Sequence, residues 1–260
     1  MKWTIKEIKE KLSIITESND LFIQQLQNDE RKGVQNLVKR WYREQERLVL
    51  KHKKFIQMTD YEQKYQKEGY ENIAGIDEVG RGPLAGPVIA AAVILPIGFY
   101  LPGIDDSKKL SEKKREEFYA VICDKAIAIG IGRVENNEID RINIYEATKK
   151  AMLSAVLQLK PQPDFLLIDA VPLETPYPSE SIIKGDGLSV SIAAASIVAK
   201  VIRDRLLKDY DLEYPEYGFA HNAGYGTKEH LDAIESCGIT PIHRKSFSPI
   251  KEYLVKKEKV

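Results

Sequence analysis

Ile5, Ile8 and Leu12 recur at helical spacing, as do Val34, Leu37, Val38, Trp41 and Leu48, the pattern of helices that bury one face. Ser18 to Asp20 and Asp29 stand between these runs as N-cap candidates. Residues 1–70 therefore predict a small set of amphipathic helices. After Tyr70 the pattern changes to short apolar runs punctuated by Gly and Pro and interleaved with longer helical patterns. Ile73 to Val79 and Val88 to Leu95 read as strands joined by a Gly/Pro loop, and Ile127 to Val134 as a third strand after the helical run Ser111 to Lys125. Ile144 to Leu159 has helical periodicity, Phe165 to Asp169 is a short buried strand, Ser181 to Lys184 another, and Val190 to Leu207 an Ala-rich helix. Strands first, then strand and helix in alternation, predict an α/β domain over residues 71–260 that ends in a helical segment.

Composition narrows the function classes. With 260 residues, 43% hydrophobic and 30% charged, the chain can bury a sizeable core. Thirty-nine basic residues balance thirty-nine acidic ones, which argues against coating nucleic acid by bulk charge and leaves such contacts to local patches. One patch is legible: between Arg31 and Lys54 nine Lys or Arg face two Glu, a solvated helix face or a nucleic-acid contact surface. Cys123 and Cys237 lack metal-ligand spacing, which excludes a disulfide scaffold and a zinc site and fits a reducing compartment. The N-terminus mixes charged and aliphatic residues without a secretory core, so a cytoplasmic protein is expected. No charge occurs from Gly82 to Ile104, yet Pro83, Pro87, Pro96 and Pro102 interrupt the stretch and argue against a membrane helix.

Candidate chemistry begins at Asp77 and Glu78, an acid pair at the end of an apolar run and before the loop Gly80-Arg81-Gly82. Acids in such a setting are strongly desolvated unless a cation or donors meet them. Neighbours on a strand point to opposite faces, so the pair shares one site only if the strand ends or distorts there. Gly80, Gly82 and Gly86 miss the dinucleotide glycine spacing by one, and no P-loop follows. The loop still permits close approach of backbone to a ligand. Asp169 ends a second apolar run, as a cap or as a site acid. Asp186 precedes the Ala-rich helix, as its N-cap first and a ligand second. Four carboxylates without His or Cys form an all-oxygen set suited to Mg²⁺ or Mn²⁺. Two such ions roughly 3.5–4 Å apart can hold a phosphodiester in line, which is the chemistry of phosphoryl transfer.

Seven segments occur in a telling order: Ile76 to Pro87, Asp106-Ser107-Lys108-Lys109-Leu110, Leu167 to Ala170, Lys184-Gly185-Asp186, the Ala193 to Arg203 helix, His221 to Thr227, and His243 to Phe247. Together, over about residues 72–250, the chain resembles the bacterial ribonuclease HII family. The resemblance implies a ribonuclease H-like fold, a mixed five-stranded sheet flanked by helices. It implies Asp77, Glu78, Asp169 and Asp186 as a set binding two divalent ions, Mn²⁺ or Mg²⁺. It also implies cleavage of the RNA strand of RNA–DNA hybrids and nicking of duplex DNA 5′ of a single embedded ribonucleotide, leaving a 3′-hydroxyl and a 5′-phosphate. By motif, Gly80, Arg81 and Gly82 grip the 2′-hydroxyl and the adjacent phosphate, and Tyr225 senses the junction by stacking on the next deoxyribonucleotide. Lys184, Lys108, Lys109, Lys200 and the run His243 to Lys245 are candidate phosphate contacts, though surface lysines are commonly just solvated.

The sister family, ribonuclease HIII, has a leading Asp-Glu pair but a different loop after it and an N-terminal domain built around a β-sheet. The glycine loop and the helical extension both favour type II here. No family residue maps onto residues 1–70. A monomer without an organic cofactor or membrane partner is expected. Two other readings stay open: a related nuclease of junctions or strand exchange that ignores the 2′-hydroxyl, and a non-catalytic nucleic-acid binder driven by the basic helix. The basic tail from Lys256 to Lys259 reads as frayed and solvated.

Overall fold

The computed structural model describes residues 3–17 and 20–257, in two compact units spanning 1–56 and 57–260. In the first, helix α1 (Ile5–Leu12) opens on a capping box: the Thr4 hydroxyl accepts the Glu7 N–H, and the Glu7 carboxylate accepts the Thr4 N–H. Asp20 accepts the Phe22 N–H to cap α2 (Leu21–Gln27), and Asp29 accepts the N–H of Arg31 just before α3 (Lys32–Met58). The other predicted cap residues, Ser18 and Asn19, lie outside the described residues. Ile8, Leu12, Ile23, Leu26, Val34, Val38 and Trp41 close into a small core, which is the apolar spacing of the sequence realised as packing.

The second unit begins with α4 (Asp60–Lys67), followed by β1 (Ile73–Val79) and β2 (Val88–Ile94). Next come α5 (Glu112–Lys125), β3 (Ala128–Val134), α6 (Asn136–Ile142), α7 (Ile144–Leu157), β4 (Phe165–Asp169) and β5 (Ser179–Ile182). The chain continues through α8 (Val190–Glu213), α9 (Phe219–Asn222), α10 (Lys228–Cys237) and α11 (Ile250–Lys257). The five strands form one sheet in the order β3-β2-β1-β4-β5. β1 runs antiparallel to β2 and parallel to β4, so the sheet is mixed. Alternation divides β1 and β2 between two faces. Ala74, Ile76, Ala90, Ala92 and Ile94 pack with Ala151, Met152 and Ala155 of α7, while α8 lies against the opposite face. Each large aliphatic buried this way contributes roughly 1.5–3 kcal/mol.

Close approach of the helices depends on missing side chains. A Cβ at Gly132 would sit 1.8 Å from the Ala151 carbonyl oxygen of α7, and one at Gly75 would sit 2.0 Å from the Ser191 backbone of α8. The sheet is thus clamped from both sides at van der Waals distance.

Most predicted boundaries agree with the structure to within two residues. The last strand occupies Ser179–Ile182 rather than Ser181 to Lys184. Ile182 is buried against the sheet, Ile183 is turned out to solvent, and Lys184 adopts a left-handed conformation that starts a turn. The N-cap expected at Asp186 is instead Ser189, whose hydroxyl accepts the Ile192 N–H. The uncharged stretch from Gly82 to Ile104 contains β2 and loops, and among the described residues no helix is long and apolar enough to cross a membrane. At the tail α11 reaches Lys257, and Lys259 lies outside the described residues.

Candidate active site

The C-terminal ends of the parallel neighbours β1 and β4 meet at the candidate acids. Their ladder runs from Ile73 opposite Phe165 to Ile76 opposite Ile168, so the next residues in register are Asp77 and Asp169. The antiparallel ladder to β2 continues through Val79. β1 therefore ends on one edge only, and the Asp77 carboxylate folds back to accept the Glu78 N–H at 2.7 Å.

Asp77 is buried, and burial together with the charges of Glu78 and Asp169 pushes its carboxyl well above the ordinary range; proximity to the Ser196 hydroxyl offsets this only in part. Glu78 is pushed up by burial, against the pull of Arg81, whose guanidinium lies 3.2 Å from Oε1. Its other oxygen, Oε2, is buried without a hydrogen-bond partner. Asp169 is raised by burial, although its Oδ1 accepts the Gly185 N–H at 2.7 Å. Asp186 sits in the 3₁₀ turn Gly185–Gly187 ahead of α8 and is raised by burial and by Asp106 and Asp169.

Asp106 is a carboxylate that sequence reasoning passes over, because it reads only as part of a lysine box. Its Oδ1 accepts the Lys108 N–H at 2.9 Å. Burial opposes the Lys108 charge, but Asp77, Asp106, Asp186 and Asp169 outweigh it, so the ammonium is held above its usual value. Lys108 thus joins Arg81 as a cation that the structure brings to the acids. Lys109 contacts Asp105 at 3.5 Å and Asp106 at 3.8 Å. Lys184 is exposed in the turn before Asp186. Lys200 is not brought to the carboxylates: its Nζ pairs with Asp204 one helical turn on, at 2.6 Å.

The glycine loop is shaped from beneath by two arginines. Arg244 donates from Nη2 to Gly80 O at 2.5 Å, from Nη1 to Arg81 O at 2.9 Å and from Nε to Gly86 O at 2.9 Å. Arg203, on α8, donates to Pro87 O, Ala85 O and Ala223 O at 3.1, 3.0 and 2.8 Å. The two side chains are 0% and 1% exposed. Burial lowers Arg244 to about 9 and Arg203 to about 10, so both stay charged at neutral pH. With φ of +95°, Gly80 holds a conformation that a side chain disfavours, and a Cβ there would strike Arg203. The phosphate contacts expected of the run His243 to Lys245 need correction for two of its members. His243 and Arg244 are fully buried and cannot face a duplex; only Lys245 is exposed. Arg203 stands in the second half of the Ala-rich helix among Lys200, Asp204 and Arg205, so the local pattern gives no signal that it is buried.

Tyr225 is 47% exposed, and its ring edge lies 3.4 Å from where a Cβ of Gly82 would be. A histidine relay secures its backbone. His230 Nδ1 is 2.9 Å from the Tyr225 carbonyl oxygen and must donate to it, which leaves His230 Nε2 to accept from His243 Nε2 at 2.9 Å. His243 Nδ1 in turn accepts the Thr240 N–H at 2.9 Å. Burial and the neighbouring His230 lower His243 to about 4, so the relay is neutral at physiological pH.

Among the described residues no three Asp, Glu, His or Cys side chains converge tightly enough to enclose an ion by themselves. The set nevertheless fits a hard cation: four raised carboxyls, only oxygen donors, and a buried Glu78 oxygen with no partner.

Comparison with known proteins completes the picture. The family model for ribonuclease HII matches residues 74–250, and the model for the ribonuclease HII N-terminal domain matches residues 4–66. Ribonuclease HII of Bacillus cytotoxicus is 55% identical over 256 residues, covering 98% of this chain and 99% of that protein. Ribonuclease HII of Bacillus thuringiensis strain Al Hakam is 56% identical over 255 residues, with the same coverage. The crystal structure of ribonuclease H2 from Pyrococcus horikoshii superposes with a TM-score of 0.61 at 23% identity, covering 73% of this chain and all of that one, a likeness of fold. The strand-end acids with the glycine loop that follows the first pair, the matches over both parts of the chain and the near full-length identity lead to one conclusion: the chain belongs to the ribonuclease HII family, endonucleases that cleave the RNA of RNA–DNA hybrids.

Proposed function

We propose that this protein nicks duplex DNA on the 5′ side of a single embedded ribonucleotide, as well as cutting RNA–DNA hybrids, leaving a 3′-hydroxyl and a 5′-phosphate. Asp77, Glu78, Asp169 and Asp186 would hold two divalent ions, Mg²⁺ or Mn²⁺. When bound, such ions supply Lewis-acid activation of water and stabilise the leaving oxygen. The chain's own residues do the rest. Asp77 and Asp169 present their carboxylates from adjacent strand ends, and the Gly185 N–H orients Asp169. Arg81 leans on Glu78, so the residue reading the phosphate next to the 2′-hydroxyl is linked to the acid set. Gly82 leaves room for a ribose, Gly80 gives the loop the backbone conformation that brings it there, and Tyr225 offers an aromatic face beside Gly82 for the following base. Lys108, Lys109 and Lys184 line the approach as phosphate contacts, with Lys200 farther along α8.

The observation that carries this reading is the approach of Tyr225 to Gly82 at a loop pinned by Arg244 and joined to Glu78 through Arg81. The same proposal takes residues 71–260 as the catalytic domain, residues 1–70 as a helical extension, and the protein as a cytoplasmic monomer without an organic cofactor.

A labelled DNA duplex with one ribonucleotide tests it, incubated with Mg²⁺, Mn²⁺ or chelator beside an all-DNA duplex. A metal-dependent nick immediately 5′ of the ribonucleotide, absent from the all-DNA duplex, is expected. Cutting confined to longer RNA stretches would overturn the single-ribonucleotide reading, and no cutting under any metal would favour a binding protein.

A further inference from the structure

Glu62 is a buried acid apart from the four assigned to the ions. It lies on α4, and its Oε1 gathers three donors: the Ser189 hydroxyl at 2.6 Å, the Ser191 hydroxyl at 2.6 Å and the Ser191 N–H at 3.0 Å. Both serines are buried as well. The second oxygen, Oε2, is buried without a hydrogen-bond partner. An apolar side chain of similar size would fill this place at lower desolvation cost, so packing alone gives no reason for an acid here.

What Glu62 holds is the start of α8. Ser189 is the N-cap of that helix, and its hydroxyl accepts the Ile192 N–H at 3.2 Å, which by itself is the usual way to open a helix. Glu62 adds an acceptor for a further free donor of the first turn, the Ser191 N–H, from a position 129 residues away in sequence.

The same turn leads directly to two of the strand-end and turn acids. The Ser189 and Leu188 N–H groups both donate to the Gly185 carbonyl oxygen, at 2.8 and 2.9 Å, and so fold the Gly185–Gly187 turn back onto the cap. A Cβ on Gly185 would stand 2.6 Å from the Ile192 side chain, so turn and helix are seated without a gap. The Gly185 N–H donates to Asp169 Oδ1 at 2.7 Å, and Asp186 is the next residue. A continuous path of hydrogen bonds thus runs from Glu62 through Ser189 and Gly185 to Asp169, with Asp186 on the turn that it fixes.

We propose that Glu62 is a positioning residue: by holding the first turn of α8 it keeps Asp169 and Asp186 at the separation that a divalent ion requires. That these two acids bind the ion rests on the function proposed above. Glu62 acts through the two serines rather than at the ion, as partners behind a metal's ligands do.

The test uses the full chain. Glu62→Ala removes the acceptor, Glu62→Gln keeps an oxygen in the place of Oε1, and Ser191→Ala removes one donor while leaving the Ser189 cap. Tyr65→Leu is a control on the same helix: it takes away the stack on Phe165, at the start of β4, and the hydrogen bond to Glu180, and leaves Ser189 and Ser191 untouched. Asp186→Asn reports the loss of a site acid itself. Mn²⁺ binding is measured by titration calorimetry without nucleic acid, beside urea unfolding in chelator and cleavage of an RNA–DNA hybrid over a range of Mn²⁺ concentrations.

Glu62→Ala is expected to weaken Mn²⁺ binding on the order of tenfold or more. Its kcat should fall at low Mn²⁺ and recover at high Mn²⁺, with KM for the hybrid and the cut position unchanged. Ser191→Ala should show a smaller loss in the same direction, and Glu62→Gln should recover most of the binding. Tyr65→Leu should unfold at lower urea yet bind Mn²⁺ as the parent does. With Asp186→Asn impaired, parental Mn²⁺ binding in Glu62→Ala would overturn the proposal; should that variant not fold, parental binding in Ser191→Ala would do the same. A Mn²⁺ defect in Tyr65→Leu as large as that in Glu62→Ala would also overturn it, because loss of stability alone would then explain both. Parental binding in Asp186→Asn would instead overturn the assignment of the ion to these acids, and the proposal with it.

Discussion

Arg244 reaches across 164 residues of sequence to donate to the Gly80 carbonyl oxygen at 2.5 Å, and it does so fully buried, with backbone oxygens as its hydrogen-bond acceptors. Three carbonyls of the glycine loop replace water around its charge, as three others do for Arg203. A planar guanidinium can satisfy three diverging carbonyls at once, which an ammonium cannot. The loop therefore has a rigid floor under the residues proposed to grip the ribose.

Arg244→Met should leave the buried Gly80 and Gly86 carbonyls, and the partly buried Arg81 carbonyl, without this donor and cost roughly 3–5 kcal/mol. Arg244→Lys should recover only part of this, because its charge is kept but its geometry is lost. Urea unfolding measures both; equal stability of Arg244→Lys and the parent would show that charge alone suffices.

Asp169→Asn keeps the shape of the site and the oxygen that accepts the Gly185 N–H but removes a charge. Cleavage should fall by on the order of 10³-fold or more while duplex binding is retained. Single-turnover cleavage beside a binding titration checks this, and parental turnover in the variant would remove Asp169 from the catalytic set.

His243 is held at about 4 in the folded protein, against about 6.5 when unfolded. A depressed value means that the unfolded chain binds the extra proton first, so stability present above about pH 6.5 is lost as pH falls toward 4. The loss should approach about 3 kcal/mol, and it should shrink in His243→Gln. Chemical unfolding across this window is the measurement; identical slopes in parent and variant would contradict the neutral relay under Tyr225.

The candidate acids have the opposite sign. Asp77, Glu78, Asp169 and Asp186 are all raised, so the stability associated with their protonated forms is lost as pH climbs upward from about 4. In chelator, Asp77→Asn should raise Tm at neutral pH relative to the parent. Added Mg²⁺ or Mn²⁺ should raise the Tm of the parent more than that of the variant. Thermal scans with and without metal decide it, and equal metal responses would argue that Asp77 holds no ion.

Truncation should divide the chain where its packing does. Removing residues 1–56 should leave a folded remainder that cuts at the same position. Removing residues 1–70 also takes away Glu62, whose Oε1 accepts from the Ser189 and Ser191 hydroxyls at 2.6 Å, and Tyr65, which stacks on Phe165 at 3.7 Å. That longer deletion should lower stability by about 2–5 kcal/mol, read as a shifted urea midpoint.

The sequence by itself determined what depends on local pattern. Periodicity marked α1 and α3, located α7, the start of α8 and four of the five strands closely, and stopped α8 six residues short at Leu207; the glycine spacing with strand-end acids pointed to the site and its chemistry. Only the tertiary structure decided which long-range partners those residues meet. Asp186 is not the cap it looks like, because Ser189 is placed to accept the Ile192 N–H. Arg244, in a run that reads as a basic surface patch, is buried because the loop's carbonyls need donors that nearby sequence does not provide. Asp106 joins the acids from a segment eighty residues before Asp186, whereas Lys200 is held locally by Asp204 one helical turn on. Burial and hydrogen-bond satisfaction are set by groups distant in sequence, and a one-dimensional pattern records which residues are polar but not which of them will face one another.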